Sequence, residues 1–203
     1  MSSTFAFAIG LLLGLPAAAQ FETQFDGSPD HPAIDYSSPY AKDPVNELNR
    51  RIAAGAVTPA FDEHNGYLRF VLDALKITIR SQVVVFSKTS VQARRISPAN
   101  PRTLFFNDSV VVGLVHGGFL EVAAQDPTKG TVFYTLDQNA SSYKDRVFKL
   151  GNGPLFRRDD SCLECHISHG TLGVPGMLIR SAIPDPNGTP LRQLGDYITD
   201  HRS

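Results

Sequence analysis

Cysteine is scarce in this chain: two in 203 residues, too few for a disulfide framework. Methionine is equally thin, and one of its two is the initiator, so any internal thioether ligand has to be Met177. No apolar stretch after residue 20 approaches the roughly 20 residues that a membrane-spanning helix needs, so no span is expected in the mature protein. Charge of one sign is also missing. Nineteen basic residues face 20 acidic ones with no like-charge run, which argues against a nucleic-acid surface or an acidic tail.

The two cysteines stand together, in Cys162-Leu163-Glu164-Cys165-His166. C-x-x-C-H is the spacing that attaches a c-type haem. Two thioether bonds hold the porphyrin edge, and the adjacent histidine reaches the iron from one face, so cofactor and axial ligand are fixed together. Two other chemistries fit the same residues. A zinc ion could take Cys162, Cys165, His166 and His169, but there is no second well-spaced ligand pair. A redox-active disulfide would want the pair at a helix start in a βαβ setting, which the surrounding sequence does not offer.

The N-terminus supplies a compartment. Residues 5–15 are apolar, Pro16 breaks the run, and Ala17-Ala18-Ala19 forms an A-x-A cleavage site, although no Lys or Arg precedes the run. A signal peptide over 1–19 is expected, with a periplasmic or otherwise exported product. Bacterial c-type haem is attached outside the cytoplasm, so leader and motif support each other.

After the leader, 20–42 reads as an extended lead-in rich in Ser, Pro and Asp, with His31 a solvated residue in it. Residues 43–203 read as one α+β domain with its haem-attachment segment at about 151–185. Asp43-Pro44 opens a helix carrying Val45, Leu48 and Ile52 and closed by Gly55, and a second helix is expected over about 66–77, with His64 as a loop or cap residue. From residue 82 the period changes. Apolar runs at 83–86, 104–106 with 110–115, 119–124 and 131–136 predict an antiparallel meander of three or four strands. His116 falls at the Gly117-Gly118 turn and faces water. Residues 151–154, Gly-Asn-Gly-Pro, lead into the motif through an irregular segment.

The sixth coordination position decides whether such a haem is an electron carrier or an open site. Met177 is the best-placed ligand: eleven residues from His166 extend to about 36 Å, ample to go around a porphyrin. His201, third from the end, is a second candidate, and an open position a third. His169 lies one turn from His166, on the same side of the ring. Arg157 and Arg180 flank the motif and suit the haem propionates, since a guanidinium pairs with a carboxylate through two hydrogen bonds.

Three segments, VFSKTSVQARRISPANPRTLFFNDSVVVGLVHGG, LEVAAQDPTKGTVFYTLDQ, and CLECH followed by TLGVPGMLIRS, resemble exported bacterial proteins of poorly defined function described as cytochrome c domain-containing. The resemblance covers about 82–203 and implies an exported protein with one covalent haem c. Relatives on that pattern run on past a segment similar to LGDYITDHRS into a His- and Trp-containing region. This chain stops at Ser203 and has no tryptophan, which implies a C-terminally truncated member. The expected role is periplasmic electron transfer with a protein redox partner. A peroxidase-like haem oxidoreductase is the alternative, and a zinc-binding module a weaker one.

Overall fold

Asp43 starts the first helix as its sequence predicts. The carboxylate accepts hydrogen bonds from the backbone N–H of Val45 (2.8 Å) and Asn46 (3.0 Å), Pro44 takes the first helical position, and α1 runs over Pro44–Ala53. Its buried residues are Val45, Leu48, Asn49 and Ile52, and Gly55, with φ +71°, follows its end. The second helix, α2 (Leu68–Ala74), is shorter than the periodicity suggests. Gly66 is used instead in a two-residue bridge to Asp62, while Lys76 adopts φ +58° and lets Ile77 N–H return to the Leu72 carbonyl at 2.8 Å.

A computed structural model describes residues 29–139 and 155–199. The expected signal peptide at 1–19, the Gly-Asn-Gly-Pro run at 151–154 and His201 lie outside the described residues. The described part of the lead-in, 29–42, is a run of turns that buries Tyr36 completely.

The strands are β1 (Val83–Val85), β2 (Arg102–Phe106), β3 (Val110–Val115), β4 (Leu120–Asp126), β5 (Gly130–Leu136) and β6 (Arg157–Arg158). They form one six-stranded antiparallel sheet in sequence order. With the helices this makes the α+β architecture expected, built on a larger sheet. The 104–115 stretch divides because Asn107 Oδ1 accepts from Ser109 N–H (3.0 Å) and Val110 N–H (2.9 Å), turning the chain between β2 and β3. The sixth strand has no apolar run to announce it. It is held by α1: Asn49 Nδ2 donates to the Phe156 carbonyl and Phe156 N–H donates to Asn49 Oδ1, both at 3.0 Å.

Side chains alternate across a sheet, so each strand serves two faces. Phe105, Val110, Val112, Leu120, Val122, Ala124, Val132, Tyr134 and Leu136 face the helices and form the core with Val45, Leu48, Val71 and Leu72. The other face carries a row running Phe106, Val111, Ala123, Phe133, and beside it Leu104, Gly113, Glu121, Thr135. The loop that carries His166 meets this second face at Phe133. A separate hairpin, β7 (Ile179–Ala182) with β8 (Asp196–Thr199), follows, and the Gly188 carbonyl in its connection accepts from Lys88 N–H at 2.7 Å. Among the described residues no helix is long and apolar enough to cross a membrane.

Candidate haem-attachment site

The motif sits on a loop whose two ends are tied to one strand. Asp159 N–H donates to the Phe133 carbonyl (3.0 Å) and Thr131 N–H donates to the Pro175 carbonyl (2.7 Å), both on β5. Residues 160–174 therefore leave β5 and return to it two residues away, a closed excursion of the kind that carries function on a rigid scaffold. Asp159 caps its first turn by accepting from Ser161 N–H (3.2 Å), and Leu163–His166 forms the single-turn helix α3. Further along, Thr171, 2% exposed, accepts from Ser168 N–H (2.9 Å) and donates back to its carbonyl (3.1 Å), fixing the second half of the loop.

His166 is held from two sides. Its ring packs on Phe133, with centroids 4.6 Å apart and planes at 46°, which places the motif on the second face of the sheet. Its Nδ1 lies 2.9 Å from the Gly176 carbonyl oxygen, while Gly176 N–H donates to the His166 carbonyl at 3.0 Å. A carbonyl only accepts, so Nδ1 carries a proton, and in the neutral ring the lone pair then belongs to Nε2. A Cβ at Gly176 would stand 2.9 Å from Thr171 Cγ2, so glycine allows this close crossing. The tautomer and ring orientation that a metal-bound histidine needs are thus set by a backbone carbonyl.

The cysteines differ from each other. Cys165 is exposed, whereas Cys162 is half-buried, and burial, helped by the carboxylates of Asp159, Glu121 and Asp160, pushes its thiol up to about 12. Cys162 is thus a neutral thiol at physiological pH, the opposite of the lowered pKa that marks a redox-active cysteine. Glu121 projects from β4 on the motif's face. It accepts hydrogen bonds from Ser90 Oγ, Gln92 Nε2 (3.0 Å) and Arg102 Nη1 (3.0 Å). The Arg102 Nε is buried with no hydrogen-bond partner among the described residues.

The flanking arginines divide between the two faces. Arg157 pairs with Thr135 across the strands, on the motif's side, and is 60% exposed with Asp137 3.7 Å away. Arg158 instead turns to the N-terminal turns, donating to the carbonyls of Ser38 (2.8 Å) and Tyr36 and lying over the Tyr36 ring at 4.5 Å. Arg180 takes its place in β7 opposite Ile198. Met177 directly follows Gly176 and is half-buried. The remaining described histidines are elsewhere: His31 Nδ1 accepts from Ala33 N–H at 3.2 Å, His64 is 88% exposed ahead of α2, and His116 is exposed at the β3–β4 turn.

The chain matches no known protein family model, no curated protein and no solved structure. Its chemistry is therefore read from its own residues. Among the described residues no group of three or more His, Cys, Asp or Glu side chains is gathered to hold a metal ion. A haem needs no such cluster, because the porphyrin supplies four ligands and the protein one or two. Phe133, Gly176 and Glu121 are the site residues that the motif alone does not reveal. Only Gly176 leaves a trace in the sequence, in the Gly-Val-Pro-Gly run after the motif.

Proposed function

We propose that this chain is an exported c-type cytochrome with one covalent haem, acting as a one-electron redox centre in periplasmic electron transfer. Cys162 and Cys165 would attach the haem: each S–H adds across a porphyrin vinyl group, forming one S–C and one C–H bond with no atom lost. His166 would ligate the iron through Nε2, with Arg157 and Arg180 available to the propionates. When bound, the haem supplies the reversible one-electron couple. The chain's own part is to orient the imidazole, shield one side of it with Phe133 and hold its proton on Nδ1.

The observation that carries the proposal is the Nδ1–H to Gly176 carbonyl contact, 2.9 Å long, made by the histidine of the C-x-x-C-H motif. A hydrogen bond at that nitrogen raises the basicity of the other and fixes the ring, which is the usual support of an iron- or zinc-bound imidazole. The raised pKa of Cys162 is the opposite of what a redox-active thiol needs and favours haem over a redox disulfide.

The test is a visible absorption spectrum of the protein secreted from cells carrying the haem-attachment machinery, followed by acid-acetone extraction. A Soret band that stays with the protein after extraction is expected. A colourless protein, or haem removed completely by the extraction, would overturn the proposal.

A further inference from the structure

We infer that Met177 is held on the His166 side of the iron and does not supply the ligand of the opposite face. The inference rests on the haem reading above and deepens it. The same hydrogen bond that prepares His166 for iron keeps Met177 from it.

The geometry is short enough to work through. Nδ1 and Nε2 are about 2 Å apart across the ring and an imidazole nitrogen sits about 2 Å from its metal. The Nδ1–H bond points away from the metal, so the Gly176 oxygen, 2.9 Å from Nδ1, falls on the His166 side of the porphyrin. Adding these along the ring axis puts that oxygen about 6 Å behind the porphyrin plane. A sulfur bound to the far face would stand about 2.3 Å in front of it, hence about 9 Å from the Gly176 oxygen once the sideways offset is included. No cis peptide bond occurs among the described residues. Across a planar trans unit the Met177 Cα is about 3 Å from that oxygen, and a fully extended methionine carries Sδ about 4 Å further. The reach is about 7 Å at most, and the straight line passes through the porphyrin. Either Gly176 holds the imidazole or Met177 crosses to the far face; the two exclude each other.

The experiment uses the secreted holoprotein and its Met177→Leu variant, read by visible absorption and electron paramagnetic resonance in the ferric and ferrous forms. The inference expects the same spin state and the same Soret position in both proteins. A thioether-to-iron signature present in the unaltered protein and lost in Met177→Leu overturns it. Where the variant fails to fold, the unaltered protein decides the matter: a thioether-to-iron charge-transfer band overturns the inference and its absence supports it. A missing Soret band overturns the haem reading itself, and is distinct from a Soret band accompanied by the thioether signature, which overturns only the inference.

Discussion

Gly130→Ala is the substitution that most directly strains the link between the sheet and the motif. Gly130 begins β5 with φ +76°, and a Cβ there would lie 2.2 Å from the Pro175 carbonyl oxygen and 2.8 Å from Val174 Cγ1. Alanine in the left-handed region costs about 1–2 kcal/mol. Relieving the contact also moves Pro175 away, and Thr131, wholly buried, loses the acceptor it holds at 2.7 Å. A buried donor left unpaired costs a further 1–3 kcal/mol or so. Gly55→Ala is the internal control: its φ is +71°, but nothing lies within 4 Å of the added Cβ, so it bears the conformational cost alone. In urea unfolding followed by circular dichroism, Gly130→Ala is expected to be less stable than Gly55→Ala by about 1–3 kcal/mol. Because Pro175 precedes the residue that holds His166, the haem midpoint potential should also shift in Gly130→Ala and not in Gly55→Ala. Equal stabilities and equal potentials would refute the coupling of β5 to the loop.

Asp43 is fully buried, and burial holds its carboxyl above the usual range despite hydrogen bonds from Tyr134, Asn46 and Val45. The folded state therefore keeps this proton longer than the unfolded chain, so its contribution to stability is fully present below the unfolded carboxylate pKa and declines as pH rises toward the folded one. Asp43→Asn should flatten that part of the stability–pH profile. Asp43→Ala, which removes the helix cap and strands the Tyr134 hydroxyl, should cost about 2–4 kcal/mol in chemical denaturation. Before haem attachment, Cys165 should be alkylated well ahead of Cys162, whose rate should keep climbing to strongly alkaline pH; equal labelling in peptide mass spectrometry at neutral pH would contradict the buried, carboxylate-flanked thiol.

What could be read from the chain was local. Asp43-Pro44 and the spacing of Val45, Leu48 and Ile52 specify α1, and the apolar runs specify four of the strands, because cap, period and turn chemistry act within a few residues. The motif was legible for the same reason. The sixth strand was not, since Arg157–Arg158 pairs with β5 through backbone bonds alone and is fixed by Asn49, 107 residues away. Asn107-Asp108-Ser109 did carry a turn signal, which the apolar residues on both sides obscured. The support of His166 was least visible. Phe133 and Thr131 meet the loop only once the sheet exists, and the decisive partner on Gly176 is a carbonyl, which every residue has. For Met177, eleven residues are long enough to encircle a porphyrin, whereas on the haem placement inferred above the hydrogen bond one residue earlier leaves about 7 Å of reach.

The central claim is that Cys162, Cys165 and His166 hold a covalent haem. Its most direct test is the intact mass of the mature protein, secreted from cells with the attachment machinery, compared with that of the Cys162→Ala, Cys165→Ala double variant. The unaltered protein should exceed its polypeptide mass by one haem and stain for haem on a denaturing gel, and the exported double variant should do neither. A mature protein at bare polypeptide mass, or a double variant that keeps its covalent haem, would contradict the claim.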